Sequence, residues 1–203
     1  MATLVIATDA PIVDGPPQGQ WTAADWEKLP HDGNRYEVID GVLYMSTAPS
    51  YFHQYITLQL VRHIGIPAED QQLARVGFAP IGVLMPGCDP VQPDFVVVLA
   101  ARATIIHDRR IHGTPDLIIE ILSPSNRAYD EQVKLRAYAR AGLPEYAIVD
   151  PVNRALRHYR LEQPGQYAPP QLYDHSQTMS FDCLPGLPLP VGDLFAGAQD
   201  PMP

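Results

Sequence analysis

A chain of 203 residues with 46% apolar content can bury a substantial core and reads most simply as one domain. Its apolar runs are strand-sized, short of the roughly 20 residues that span a bilayer, and no internal repeat supports a solenoid or propeller. The net charge of −9 weighs against a uniformly basic nucleic-acid-coating surface, because phosphate contacts draw on Lys and Arg.

Residues 1–20 open with a short apolar run, Thr3 to Thr8, that no basic residue precedes, so a secretory signal is not expected. Prolines, 22 in all, are about twice as frequent as usual and gather in Asp9 to Gln20 and from Pro164 onward. The reading is a flexible segment over 1–20, one domain over 21–195 and a flexible tail over 196–203. Thr22 to Leu29 predicts a short helix with Thr22 as N-cap. Arg35 to Ile39 and Val42 to Met45 flank Asp40-Gly41, a strong hairpin signal. From His53 to Ile64, apolar residues recur at helical spacing. Leu73 to Met85 reads as one or two strands broken by glycine and proline.

Phe95 to Leu99 and Leu117 to Leu122 are continuous apolar runs, the pattern of strands buried on both faces. A polar, basic connection, Ala101 to Thr114, lies between them. Arg127 to Ala141 predicts a helix stopped by Gly142, with Pro144 just beyond. Tyr146 to Val149 is another buried strand, followed by more exposed strands at Leu156 to Leu161 and Gln171 to Asp174. This order predicts an α/β (α+β) fold, a mixed sheet flanked by helices with an N-terminal β-hairpin. Cys88 and Cys183 match no zinc spacing and read as reduced, mostly buried thiols, which suits a cytoplasmic location. Ten of the 14 basic residues fall between Arg102 and Arg160 against seven acids, a local net of +3 that leaves −12 elsewhere. That asymmetry permits a basic face without establishing one.

Chemistry is indicated by two carboxylates. Asp94 opens the first buried strand and Glu120 sits near the end of the second; antiparallel pairing would bring them together. An unpaired charge inside a buried strand is expensive, so Glu120 calls for a function. Mg²⁺ is held by a few carboxylate oxygens with waters completing the set. Asp116 shares a strand face with Glu120 but stands about 13 Å from it at 3.3 Å per residue, too far to share one ion, and reads as a strand-entry residue.

The phrases Tyr36 to Gly41, Pro93-Asp94, Pro115 to Pro124, Asp130 with Lys134 and Tyr138, and Gly142 to Pro151 form an ordered set. Together they resemble the Uma-type restriction endonuclease family of the PD-(D/E)XK nuclease superfamily over about Trp21 to Leu194. The resemblance implies a restriction-endonuclease-like core and Mg²⁺- or Mn²⁺-dependent hydrolysis of DNA phosphodiesters, with Asp94 and Glu120 as metal ligands. The superfamily pattern expects lysine two residues after the glutamate, where this chain has Leu122. Lys134 is the candidate replacement: at 100° per residue Asp130, Lys134, Ala137 and Tyr138 share one side of the helix, and Gln132, Arg136 and Arg140 the other. An ordinary Asp130–Lys134 ion pair is the alternative. Glu37 is a candidate third metal carboxylate or a solvated acid. His53 is a candidate phosphate contact at a helix start, or a histidine packed there. Asp130 and Tyr138 are candidates for supporting contacts. DNA is the implied partner, no membrane is, and a homodimer would suit cutting of two strands. A catalytically inactive nucleic-acid binder keeping the same fold is the competing reading, favoured by Leu122 and the acidic charge.

Overall fold

The computed structural model describes residues 13–123 and 126–197. Residues 1–12 and 198–203, the outer parts of the two ends read as flexible, lie outside the described residues, as does Pro124 of the Pro115 to Pro124 phrase. Helix α1 (Ala23–Trp26) is one turn, capped reciprocally by Thr22 and Asp25. Strands β1 (Arg35–Ile39) and β2 (Val42–Ser46) form the antiparallel hairpin. Its turn residues Asp40 and Gly41 have φ of 51° and 73°, the left-handed pair that a two-residue hairpin needs. The Gly19 and Trp21 amides both donate to the Gly41 carbonyl, and Gln18 exchanges two hydrogen bonds with Leu43. The described part of the N-terminal segment is thereby fastened to the hairpin.

Helix α2 (Tyr51–Leu60) begins two residues before His53, because the Ser50 hydroxyl accepts the His53 amide and sets the cap there. It continues through a π-helical turn (Val61–Gly65) into α3 (Ile66–Asp70). Next come β3 (Ala74–Phe78), β4 (Gly82–Met85), β5 (Cys88–Val91), β6 (Phe95–Leu99), β7 (Arg110–His112) and β8 (Leu117–Ile121). A π-helical stretch (Tyr129–Lys134) leads into α4 (Leu135–Arg140), and Gly142, at φ 78°, ends it. The chain closes with β9 (Glu145–Asp150), β10 (Ala155–Gln163), β11 (Gln166–Tyr167), β12 (Gln171–Asp174), and the short pair β13 (Thr178–Met179) and β14 (Leu189–Pro190).

The expected mixed sheet is the seven-stranded one, ordered β11-β10-β9-β8-β6-β3 with β12 on β10; β8 and β9 are parallel and β6 and β8 antiparallel. The hairpin belongs to a second, five-stranded sheet, β2-β1-β5-β4-β7. Two of its members went unseen in the sequence. Pro90 argues against strand inside β5, and β7 hides in the basic connection, where the only signal is three residues long. The two strands within Leu73 to Met85 end up in different sheets, parted at Ala79-Pro80.

The strand period of two sorts the core. Phe95, Val97, Leu117, Ile119 and Ile121 pack with Phe52, Ile56 and Leu60 of α2, with Ile64 of the π-helical turn, and with the C-terminal residues Phe181 to Phe195. Val96, Val98, Ile118 and Leu122 face the other way, against the second sheet and Tyr138 of α4. Glu120 falls by parity on this second face. At the sheet's β3 edge, the Glu69 carboxylate accepts the Val76 amide at 3.0 Å and pairs with Arg75 at 3.1 Å. No helix among the described residues is long and apolar enough to cross a membrane.

Candidate active site

The β6–β8 register pairs Phe95 with Ile119, which sets Asp94 against Glu120 at the strand ends. The Asp94 amide lies 3.4 Å from Glu120 Oε2, and the Ile121 amide donates to Asp94 Oδ2 at 2.9 Å. Each carboxylate thus faces the other strand's backbone. Asp94 and Glu120 are 3% and 1% exposed. Charges this deep cost several kcal/mol each unless partnered, and the partners come from four other elements.

Lys134, at the end of the π-helical stretch, points at the sheet as its helix side predicts. Its ammonium is 2.8 Å from Glu120 Oε1, 3.2 Å from Glu37 Oε1 and 3.6 Å from Asp130 Oδ1. Both readings of Lys134 therefore hold geometrically, but the contact with Glu120 is the shortest. The Tyr138 hydroxyl, one turn on, donates to the same Glu120 oxygen at 2.9 Å. The Tyr129 ring lies under Lys134, 5.0 Å from its nitrogen, and against Tyr44 at 4.4 Å. Glu37, on β1, is buried in the cluster rather than solvated, and accepts the Gln92 amide at 2.7 Å. Leu122 takes the i+2 position but packs among Ile118, Tyr138 and Ile148, so the volume beside Glu120 on that strand is apolar core.

His53, on α2, directs Nε2 at Asp94 Oδ2, 3.0 Å away, while its Nδ1 is buried without a hydrogen-bond partner. The structure gives His53 a carboxylate partner, reached from the third helical position rather than the first. Arg35, not singled out in the sequence, contributes the shortest contact: NH1 to Asp94 Oδ1 at 2.6 Å. A signal was available, since Arg35 and Glu37 are two apart on one strand and share a face. Asp116 stands outside the cluster. It accepts the Leu99 amide at 2.8 Å and pairs with Arg102 at 2.7 Å, a structural clip between β6 and the strand it opens.

The cluster holds four carboxyls, Glu37, Asp94, Glu120 and Asp130, against the cations Lys134 and Arg35. Electrostatics follow from that imbalance. Burial would raise the Asp94 carboxyl, but the bond from His53 and the charges around it, Arg35 and Lys134 included, hold it well below the usual carboxylate range. Burial pushes Glu120 up to about 7; Lys134 opposes this while Asp94 and Glu37 add to it. Asp130 is driven well above its ordinary value, again chiefly by burial. Burial disfavours the Lys134 ammonium, yet the surrounding carboxylates outweigh it and raise its pKa. Lys134 stands as a hydrogen-bond donor to Glu120 at 2.8 Å.

The cluster opens on a cavity of about 330 Å³ walled by the Met45 to His53 connection on one side and Pro151-Val152 on the other. Asp150 fixes that second wall: it accepts the Val152 and Asn153 amides at 3.1 Å and pairs with Arg127 at 2.9 Å. The donor set is hard carboxyl oxygen, with more carboxyls than cations, which suits Mg²⁺ or Mn²⁺, ions that need only one or two protein carboxylates. Among the described residues, no three His, Cys, Asp or Glu side chains stand in ligating geometry; Lys134 and Arg35 hold the oxygens instead.

A family model described as "Uma2: Putative restriction endonuclease" matches residues 23–192. The crystal structure of a putative nuclease belonging to DUF820 from Anabaena variabilis has a similar fold, with a TM-score of 0.72 at 22% identity, covering 86% of this chain and 97% of that one. No curated protein matches.

Proposed function

This chain belongs to the Uma2 family of putative restriction endonucleases, and from that premise we propose that it is a divalent-cation-dependent endonuclease of PD-(D/E)XK type that hydrolyses DNA phosphodiester bonds. The observation that carries the reading is the buried set Asp94, Glu120 and Lys134, joined across three elements and open to a cavity. A structural ion pair has no need of that opening, nor of two carboxyls more than its cations.

Asp94 and Glu120 would hold Mg²⁺ or Mn²⁺, with Glu37 beside them. Bound there, the ion would acidify a water and offset charge developing on the phosphate. Tyr138 fixes the Glu120 carboxylate so that Oε2 stays turned toward Asp94. Lys134, held protonated, orients the attacking water or steadies a phosphate oxygen. Its place on the helix supplies the charge that Leu122 cannot. The inactive-binder reading draws on Leu122 and the acidic charge, and Lys134 at 2.8 Å from Glu120 weakens the first of these grounds; the basic residues such a binder would use are also largely committed, since Arg102, Arg110, Arg127, Arg140, Arg157 and Arg160 each pair with an acid. A homodimer would place two such sites on the two strands of a duplex.

The test is cleavage of plasmid and single-stranded DNA with Mg²⁺ or Mn²⁺. Glu120→Ala and Asp94→Ala should each lose turnover by at least about a hundredfold, whereas Asp116→Asn should keep it. Full turnover in either carboxylate variant would sink the site.

A further inference from the structure

Asp94 cannot accept a cation as it stands. Oδ1 is held by the Arg35 guanidinium at 2.6 Å, and Oδ2 by His53 at 3.0 Å and the Ile121 amide at 2.9 Å. Glu120 Oε2, by contrast, has among the described residues only its 3.4 Å contact with the Asp94 amide. A cation entering from the cavity therefore meets a positive charge already seated on one of its two ligands, and like charges at such range repel strongly where water is scarce.

The three donors to Asp94 differ in how they can leave. The Ile121 amide is sheet backbone and stays. His53 is anchored by its helix. Arg35 reaches Asp94 from β1, in the other sheet, by its side chain alone, and lines the cavity wall at 16% exposure. Rotation of its stem releases Asp94 without moving a strand. Its other acceptor, the Gln92 carbonyl, is distant at 3.4 Å. A released guanidinium at the cavity wall would need an anion, and its planar fork matches a phosphate, the anion that the proposed substrate carries.

We infer that Arg35 is a counter-ion held in reserve: it neutralises Asp94 until a divalent cation displaces it, and then takes a non-bridging oxygen of the substrate phosphate. This rests on the metal-dependent reading above and adds to it a positioning residue and an order of events, cation before substrate.

The test follows Mn²⁺ binding to the full chain by calorimetry, comparing wild type with Arg35→Met and with the exposed-surface control Arg62→Met. Arg35→Met should bind Mn²⁺ about tenfold more tightly, having lost the competitor, with the control unchanged. Equal or weaker binding overturns the counter-ion role. A second arm measures duplex DNA affinity with saturating Ca²⁺, which supports binding without turnover. There Arg35→Met should bind DNA about tenfold more weakly; undiminished affinity overturns the phosphate role. Should the methionine variant fail to fold, Arg35→Lys keeps the charge and loses the fork. It should stay within about threefold of wild type for Mn²⁺ and still weaken DNA binding; wild-type DNA affinity would overturn the phosphate role. Absence of Mn²⁺ binding in the wild type is a different failure, and removes the metal-dependent reading itself.

Discussion

A carboxylate in the interior of a buried strand survives only through its neighbours, and Glu120 draws on Lys134, Tyr138 and the Asp94 amide at once. The arrangement leaves a titration signature. The native carboxyl keeps its proton up to about 7, against 4.5 for the ordinary group. Between those values the folded state binds more protons than the unfolded one, so stability falls as pH rises through the window. Metal-free protein should lose on the order of 1–3 kcal/mol from about pH 4.5 to about pH 7, and Glu120→Gln should flatten the decline. Urea melts at several pH values check this; identical slopes in the two proteins would refute it. Sequence reasoning reached Glu120 because a lone acid among Leu117 to Leu122 contradicts its surroundings. It did not reach Arg35, whose one signal is the strand face it shares with Glu37 and whose partner Asp94 is distant in sequence.

The elements that carry the site differ in how they announce themselves. Asp40-Gly41 declares the hairpin, and the hairpin delivers Arg35 and Glu37. Gly41 is needed twice over: its φ is 73°, and a Cβ there would sit 2.5 Å from the Gly19 carbonyl oxygen. Gly41→Ala should therefore cost about 2–3 kcal/mol, seen as a lowered melting temperature. Cleavage measured well below that temperature should drop as well, since β1 positions two members of the cluster; a variant as stable as wild type would contradict the strain. Helical periodicity was enough to aim Lys134 at the sheet, whereas the π-helical character of Tyr129–Lys134 left no trace in residue type. Strands β5 and β7 stayed hidden for different reasons, a proline in one and brevity in the other. Neither holds a site residue, so the site was more legible than the sheet that supports it.

Over the whole molecule, charge is spent internally. The excess of basic residues between Arg102 and Arg160 permits a face for nucleic acid without establishing one, and most of those side chains are folded onto acids of the same chain. Paired surface arginines release few counter-ions when a phosphate approaches. DNA affinity at fixed metal should consequently depend weakly on salt, with a log–log slope no steeper than about −3, as for roughly three phosphate contacts. Fluorescence anisotropy across a salt series measures it, and a slope near −6 would reveal a basic surface that the pairing conceals.

Glu69 bears on how the molecule meets copies of itself. Strand β3 ends the larger sheet, and a bare sheet edge invites another chain to extend it. Here a carboxylate already occupies the Val76 amide and draws Arg75 to the same place. An arriving strand would have to strip a charged group from its partners before pairing with the Val76 amide. Self-association along that edge is thus discouraged, and crowding of this protein should favour discrete particles over fibrous ladders grown from β3.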